Sequence, residues 1–153
     1  MQRRRVLGGV LVCLSLGSGC LSSADGAENG PATVEDPPEW LRERGRCEDE
    51  GLWGALELSS TEPDSGYAIA VVPYDRLSEK SKRLVRFAVH NDGAEACTQT
   101  GGSTFQTFLG EVHDLAYQPY REEHGERPRA FVIRTTRATY RIERLAAFDE
   151  MLV

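Results

Sequence analysis

Lysine is nearly absent from this chain of 153 residues, and basic charge is outnumbered by acidic charge. Lys80 and Lys82 are the only lysines, and every other basic side chain is an arginine. Acidic residues number 24 against 18 basic ones, which gives a formal net charge of −6. Nucleic-acid binding depends on a clustered basic surface, so this composition argues against nucleic acid as a partner. An anionic lipid surface is an equally poor partner for such a chain.

The chain also lacks a long hydrophobic run. Its most apolar segment is residues 6–16, about half of the roughly 20 residues that a membrane-spanning helix requires. Three arginines precede this segment, and the small residues Gly17, Ser18 and Gly19 follow it, ending at Cys20. A charged start, a short apolar stretch and small residues before a cleavage point are typical of an export signal. We therefore predict a signal peptide over residues 1–19.

The start of this signal resembles a known export class. Arg3-Arg4-Arg5-Val6-Leu7 is similar to the twin-arginine motif, in which an arginine pair precedes a variable residue and two apolar ones. Twin-arginine signals are addresses read by a receptor and do not themselves anchor a protein. An ordinary secretory signal with three arginines remains the alternative.

The end of the signal resembles the lipobox of exported lipoproteins. In that motif the cysteine, here Cys20, becomes the lipidated first residue of the mature chain, although Gly17 stands where a large aliphatic residue is usual. The resemblance implies lipid attachment at Cys20, with the membrane contacted through this anchor at the outer face of the cytoplasmic membrane. The alternative is cleavage after Gly19 or Ala24, which would release a soluble secreted protein.

The mature chain is more acidic than the whole chain. Removal of the arginines at positions 3–5 leaves 15 basic and 24 acidic residues, a formal charge of −9. Carboxylates retain water at high salt, while salt screens their mutual repulsion. With the export signal and the scarcity of lysine, this composition resembles haloarchaeal surface lipoproteins. A GC-rich genome would explain the missing lysine but not the acidity.

The segment from Leu77 to the end, about half of the chain, is similar to small haloarchaeal exported domains of unknown function. These domains have a Leu-Ser helix start, a cysteine after the helix and a closing hairpin that is rich in tyrosine. The matching residues are Leu77, Ser78, Cys97, Thr139 and Tyr140. The resemblance brings no assigned activity.

The four cysteines divide into two groups. Cys13 leaves with the signal and Cys20 takes the lipid, so Cys47 and Cys97 remain in an oxidising environment. Two cysteines in that setting predict a disulfide. The alternative is that Cys97 is a nucleophile, with His90 or His113 as its base.

The composition divides the mature chain at about residue 38. Residues 20–38 contain the lipidated cysteine and a flexible acidic linker, which has too few aliphatic side chains to offset the entropy of ordering. Residues 39–153 are long enough for a single globular domain. At the boundary, Asp36 and the following prolines predict a short helix over residues 37–44.

Within the domain, hydrophobic periodicity predicts two strands, two helices and two more strands. Residues 52–59 and 67–72 read as an antiparallel hairpin around a turn that contains Pro63 and Gly66. A first helix follows, capped by Ser78 and ended at residues 91–93. A second helix follows Gly101-Gly102-Ser103 and ends before Pro119. Its predicted buried stripe is Phe105, Phe108, Leu109, Val112 and Ala116.

The last two predicted strands, residues 129–135 and 138–145, form a second hairpin. Phe131 and Ile133 are expected to face inward opposite Tyr140 and Ile142. Two hairpins separated by two amphipathic helices predict an α+β fold. In this fold, an antiparallel sheet of about four strands has both helices packed on one face.

The best polar candidate site is a flank of the second helix. Gln106, His113 and Tyr117 border Gly110 at spacings of three and four residues, which could form a small cleft or a solvated flank. Two nearby groups have the residue types of metal ligands but not their spacing, so no metal and no cofactor are expected. These groups are Glu111, His113 and Asp114, and Glu122, Glu123 and His124.

Three further features have both a functional and a structural interpretation. Lys80, Lys82, Arg83 and Arg86 make the outer side of the first helix basic, which would suit an acidic partner or a solvated face. Gly101-Gly102-Ser103 resembles an anion-binding turn, although a plain helix cap at Ser103 explains it more simply. Trp40 and Trp53 are expected to be core or packing residues, and would suggest a sugar- or peptide-binding face if both were exposed.

The functional expectation follows from the anchor, the tether and the lack of a catalytic motif. We expect a non-enzymatic, lipid-anchored cell-surface domain that binds or assembles with a protein or small-molecule partner. The alternative is a small extracellular hydrolase or thiol enzyme that uses Cys97 or His113.

Overall fold

The computed structural model describes residues 31–47, 51–62 and 68–152. The predicted signal, Cys20, the first part of the linker and the turn at Pro63 and Gly66 lie outside the described residues. Within the described part of the chain, no helix is both long and apolar enough to cross a membrane.

The described residues form seven strands and three helical regions. The strands are β1 (Leu41–Arg42), β2 (Gly54–Thr61), β3 (Ile69–Pro73), β4 (Ala94–Ala96), β5 (Ala130–Arg134), β6 (Thr139–Ala147) and β7 (Glu150–Met151). The helices are a 3-10 turn (Tyr74–Arg76), α1 (Glu79–His90), and α2 (Gln99–Val112), which continues through a π-helical segment (His113–Tyr117) into α3 (Gln118–His124). The strands make one sheet in the order β1-β4-β2-β6-β5-β3, with β7 paired to β6. The predicted α+β class is confirmed.

The predicted pairing of the first two strands is wrong. β2 lies inside the sheet between β4 and β6, whereas β3 lies at its edge and runs parallel to β5. A parallel pair requires a crossover connection, and the helices between β3 and β5 provide one. The sheet also has more strands than the predicted four. The prediction missed β1, β4 and β7 because strands of two or three residues are too short to produce a periodic pattern.

The closing hairpin has the predicted register. β5 and β6 are antiparallel, with Ile133 opposite Tyr140 and Arg134 opposite Thr139. All four predicted inward residues, Phe131, Ile133, Tyr140 and Ile142, are buried. The Thr135 hydroxyl closes the turn because it accepts a hydrogen bond from the Ala138 N–H at 2.9 Å.

α1 agrees with the sequence prediction at both ends. The Ser78 hydroxyl accepts a hydrogen bond from the Ser81 N–H at 3.3 Å, and Leu84, Val85 and Ala88 are buried. The chain leaves the helix through Asp92 and Gly93, whose φ angles of 56° and 127° are both in the left-handed region. α1 contacts α2, and both helices contact β2, so they share one face of the sheet as predicted.

α2 begins earlier than predicted. Thr98, rather than Ser103, caps it through a 3.2 Å hydrogen bond from the Gly101 N–H. The glycine pair lies inside the first turn, where a Cβ on Gly101 would stand 2.7 Å from the Trp40 ring and one on Gly102 would stand 2.9 Å from the Trp53 carbonyl oxygen. The two glycines therefore allow close packing and are not a turn before the helix.

The predicted end of this helix before Pro119 is also wrong. The Gln118 N–H donates to the His113 carbonyl across a π-helical turn, and α3 then continues until Gly125, whose φ is 72°. Proline lacks an N–H and its ring clashes with the carbonyl four residues earlier in a regular α-helix. The wider turn just before Pro119 relieves that conflict and lets the helix continue.

The predicted buried stripe of this helix is confirmed: Phe105, Phe108, Val112 and Ala116 are buried, and Leu109 is partly buried against the core.

The segment before β1 is not helical. The predicted helix over residues 37–44 is replaced by a turn, in which the Leu41 N–H donates to the Pro38 carbonyl at 2.9 Å, and by β1. Leu41 gains more by burial in the core beside β4 than a short surface helix would provide. Upstream, Val34 packs against the core and the Arg83 guanidinium donates to the Asp36 carbonyl. The last part of the predicted linker thus lies along α1.

The disulfide between Cys47 and Cys97 is confirmed, with Cα atoms 5.0 Å apart. The buried Glu95 carboxylate lies beside it and accepts hydrogen bonds from the backbone N–H groups of Arg46 and Cys47 at 3.1 and 3.4 Å. These bonds hold the segment after β1 against β4. The disulfide also occupies the Cys97 sulfur, so the thiol-enzyme alternative at Cys97 would require its reduction.

Candidate functional site

Three features that the sequence presents separately meet in one groove. This groove, called the α1–α2 groove below, opens between α1, the first turns of α2 and the segment before β1, and encloses about 320 Å³. Its apolar wall consists of Pro38, Trp40, Leu41 and Leu84, its cations are Lys80 and Arg83, and its hydroxyl side is Thr100, Ser103 and Thr104.

Trp40 forms the aromatic wall because α2 has glycine at the point of contact. The indole ring is partly buried and lies where a side chain at position 101 would otherwise stand, 2.7 Å from an added Cβ. The same Cβ would approach the Ala96 methyl group on β4 at 2.8 Å. Gly101 therefore sets how deeply the ring sits against the helix, and with it the shape of the groove.

The basic side chains of α1 are divided between two flanks of the helix. Lys80 and Arg83 line the groove, whereas Lys82 forms a 3.0 Å ion pair with Glu79. Arg83 donates to the Asp36 carbonyl, and the Lys80 ammonium group has no hydrogen bond or ion pair within the described residues. No acidic side chain lines this groove. Two uncompensated positive charges therefore face it.

The start of α2 adds hydroxyl groups and the positive end of a helix. The Ser103 hydroxyl donates to the Thr100 carbonyl at 2.7 Å, and no acidic residue occupies the first turn. Exposed N–H groups at a helix start carry partial positive charge. The groove thus combines two side-chain cations, an electropositive helix end and an aromatic wall. This arrangement can hold a carboxylate beside an apolar group.

The predicted polar flank of the second helix is only partly assembled. His113 stacks on Tyr117 with ring centroids 5.2 Å apart, and its Nδ1 lies 3.1 Å from Asp114 Oδ1. Its Nε2 lies 3.2 Å from the amide nitrogen of Gln118. Gln106 is exposed, and no hydrogen bond within the described residues joins it to His113. Gly110 has open space beside it.

Sequence reasoning missed Gln118 because it assumed regular α-helical spacing. The π-helical turn brings position i+5 next to His113, where an α-helix would bring i+3 or i+4. Pro119, five residues before the end of α3, is the signal that could have indicated the irregular turn. With 41% of its side chain exposed and both ring nitrogens engaged, His113 is an oriented imidazole at the surface.

The remaining sequence candidates lie apart from the groove. Trp53 is 36% exposed and meets Phe148 edge-on, with ring centroids 5.4 Å apart. It packs beside Gly102 and does not line the groove. His124 stacks on Tyr120 and has its Nδ1 3.1 Å from the Tyr120 carbonyl oxygen. Across residues 31–47, 51–62 and 68–152, no group of three or more His, Cys, Asp or Glu side chains could hold a metal ion.

In comparisons with known proteins, no protein-family model, curated protein or solved structure matches this chain.

Proposed function

We propose that this protein is an exported, lipid-anchored binding domain that takes an acidic segment of a partner protein into the α1–α2 groove, without catalysis. The observation that carries the proposal is the charge of the groove. Lys80 and Arg83 face it with no acidic side chain in its lining, although acidic residues outnumber basic ones in the chain by 24 to 18.

The mixed lining favours a peptide with both acidic and apolar side chains. An arginine fork pairs well with a carboxylate, while tryptophan and arginine are the residue types that dominate binding energy at interfaces. Pro38 and Trp40 give the groove a partly exposed apolar surface, and Leu41 and Leu84, which are both buried, complete its apolar lining. A volume of about 320 Å³ matches the small end of the range for ligand sites, and accommodates one or two side chains of such a peptide.

The same lining suits binding at high salt. At about 1 M salt the screening length falls to roughly 3 Å, so charges attract only at contact distance, whereas apolar burial is not screened. A groove lined by both Trp40 and Arg83 offers a bound peptide both effects. This fits the acidic, lysine-poor composition, which is itself typical of proteins that work at high salt.

The anchor and tether complete the proposal. The lipobox-like sequence that ends at Cys20 supports lipid attachment, and residues 31–38 lie against the domain. Ten residues, 21–30, then separate the lipid from the domain, and as a flexible coil they would span roughly 17 Å. That distance holds the groove within reach of membrane-bound or surface partners.

Titration calorimetry with two short peptides tests the groove. One peptide is an oligoglutamate with a terminal leucine, and the other replaces every glutamate by glutamine. We expect saturable binding of the acidic peptide alone. The double variant Lys80→Gln with Arg83→Gln should weaken it by about tenfold or more, since each lost charge-assisted bond reduces affinity several-fold.

A charge-matched control separates local contact from general charge. Arg127→Gln with Arg129→Gln removes the same two charges from the exposed loop after α3 and should leave the affinity unchanged. An equal loss in both double variants would assign the attraction to net charge and contradict a specific groove. Failure of the acidic peptide to bind the unaltered protein would contradict the proposed function itself.

A further inference from the structure

A second cleft opens at the opposite edge of the sheet, where β3 and β5 end. These two strands are parallel, and Pro73 pairs with Arg134 at their carboxyl ends. The carboxyl ends of parallel strands are a common place for ligand binding, because the loops that follow diverge there. This strand-end cleft encloses about 560 Å³, which is well within the range of small-molecule sites.

The floor of the strand-end cleft is apolar. Val71 and Pro73 contribute from β3, and Pro31 covers one side. On the opposite face of β3, Ala70 and Val72 are buried in the core, which fixes Val71 on the face that the helices do not cover. The floor is thus held rigidly by the sheet and offers contact area to an apolar group.

The rim of the strand-end cleft is basic. Arg134 and Arg137 both line it, and Asp75 is the only carboxylate among the lining residues. Arg134 is exposed, and its side chain makes no hydrogen bond or ion pair within the described part of the chain. A guanidinium without a partner at the edge of an apolar floor presents several N–H donors to an anionic ligand.

Tyr74 adds a neutral donor from the 3-10 turn after β3. Burial raises the pKa of its phenol, the nearby Arg86 and Lys82 act in the opposite direction, and the Glu79 carboxylate adds to the increase. The hydroxyl therefore keeps its proton at neutral pH. Lys82 is already paired with Glu79, but Arg86 has a buried Nε without a hydrogen-bond partner.

We propose that the strand-end cleft is a second binding site, for a small organic anion with an apolar body. Its carboxylate or phosphate group pairs with the Arg134 guanidinium and accepts a hydrogen bond from Tyr74, while its apolar part covers Val71 and Pro73. The inference is independent of the α1–α2 groove, since the two sites share no lining residue.

Phenyl phosphate and benzoate are suitable probes, with phenol as the uncharged counterpart. Titration followed by amide chemical shifts should show saturable changes at residues 71–75 and 134–137 for both anions and none for phenol. Arg134→Gln should weaken binding by about tenfold or more, and Tyr74→Phe by a few-fold, because each removes one polar contact to the anion. Arg127→Gln, at the other end of β5, should change nothing.

The inference fails if phenol shifts the same amides with the same affinity, if Arg134→Gln and Arg127→Gln weaken binding equally, or if neither anion binds. The spectrum of each variant reports at once whether the fold is kept. Tyr74→Phe preserves the ring and therefore the apolar floor, so a loss of affinity in that variant identifies the hydroxyl contact.

Discussion

Gly101 controls how closely Trp40 approaches the first turn of α2. A methyl group at this position would meet the indole ring at 2.7 Å and the rigid Ala96 Cβ at 2.8 Å. Overpacking of this kind costs about 1–3 kcal/mol, more than the roughly 1 kcal/mol that alanine gains over glycine in a helix. Gly101→Ala should therefore lower the free energy of unfolding measured with urea.

Gly110 in the same helix is the matched control. An added Cβ there meets nothing within 4 Å, so only the helix propensity changes. Gly110→Ala should raise the free energy of unfolding by up to about 1 kcal/mol. An increase in the free energy of unfolding in both variants would mean that the contact between Gly101 and Trp40 is not tight.

Phe108 and His113 separate buried packing from the surface on one continuous helix. Phe108 is fully buried, while 41% of the His113 side chain is exposed. Phe108→Ala should cost roughly 3–5 kcal/mol in unfolding free energy through lost burial and a cavity. His113→Ala should cost well under 1 kcal/mol, as is usual for surface positions. Comparable losses in the two variants would make the His113 cluster a structural element.

At the scale of elements, the disulfide ties the segment before β2 to the end of β4. Cys47 and Cys97 are 50 residues apart in the chain, and closing a loop of that length contributes about 4 kcal/mol in the chain-entropy model. Replacing both cysteines by serine should lower the urea midpoint in proportion. A double variant as stable as the parent would show that Glu95 and strand pairing already hold this segment.

The two long helices were predictable from the sequence because capping residues and the spacing of apolar side chains are local signals. Ser78 and Gly93 mark α1, and the apolar spacing from Phe105 to Ala116 marks α2. The predicted end of the helix before Pro119 was wrong because a π-helical turn accommodates the proline. Whether such a turn forms depends on how the whole helix packs. Local signals therefore located the two long helices and their buried faces, but not their continuity, and at residues 37–44 they predicted a helix where the chain forms a turn and β1.

Strand pairing was less predictable, because it depends on contacts distant in sequence. The turn chemistry before β3 suggested a hairpin with β2, yet β2 pairs with β4 and β6.

The α1–α2 groove could not be predicted from the sequence for the same reason. Its cations and Trp40 were each visible in the sequence, but their meeting depends on where the segment before β1 lies over α1 and α2.

At the scale of the whole molecule, the proposal places a binding domain on a short tether from a lipidated Cys20. Cys20→Ser should move the protein from the membrane fraction to the medium or leave it unprocessed, since the lipid is the expected attachment. Fractionation and the intact mass of the mature chain measure this. Unchanged membrane retention without a lipid mass at the N-terminus would contradict the anchor.

The most direct measurement of the central claim locates the bound acidic peptide on the domain. A spin label on the leucine end of the oligoglutamate peptide broadens the signals of nearby residues in the protein spectrum. We expect the broadening to be concentrated on the Trp40 indole and the amides of Thr100, Ser103 and Thr104. It should disappear in the Lys80→Gln, Arg83→Gln variant. Broadening centred on the strand-end cleft, or spread evenly over the surface, would contradict it.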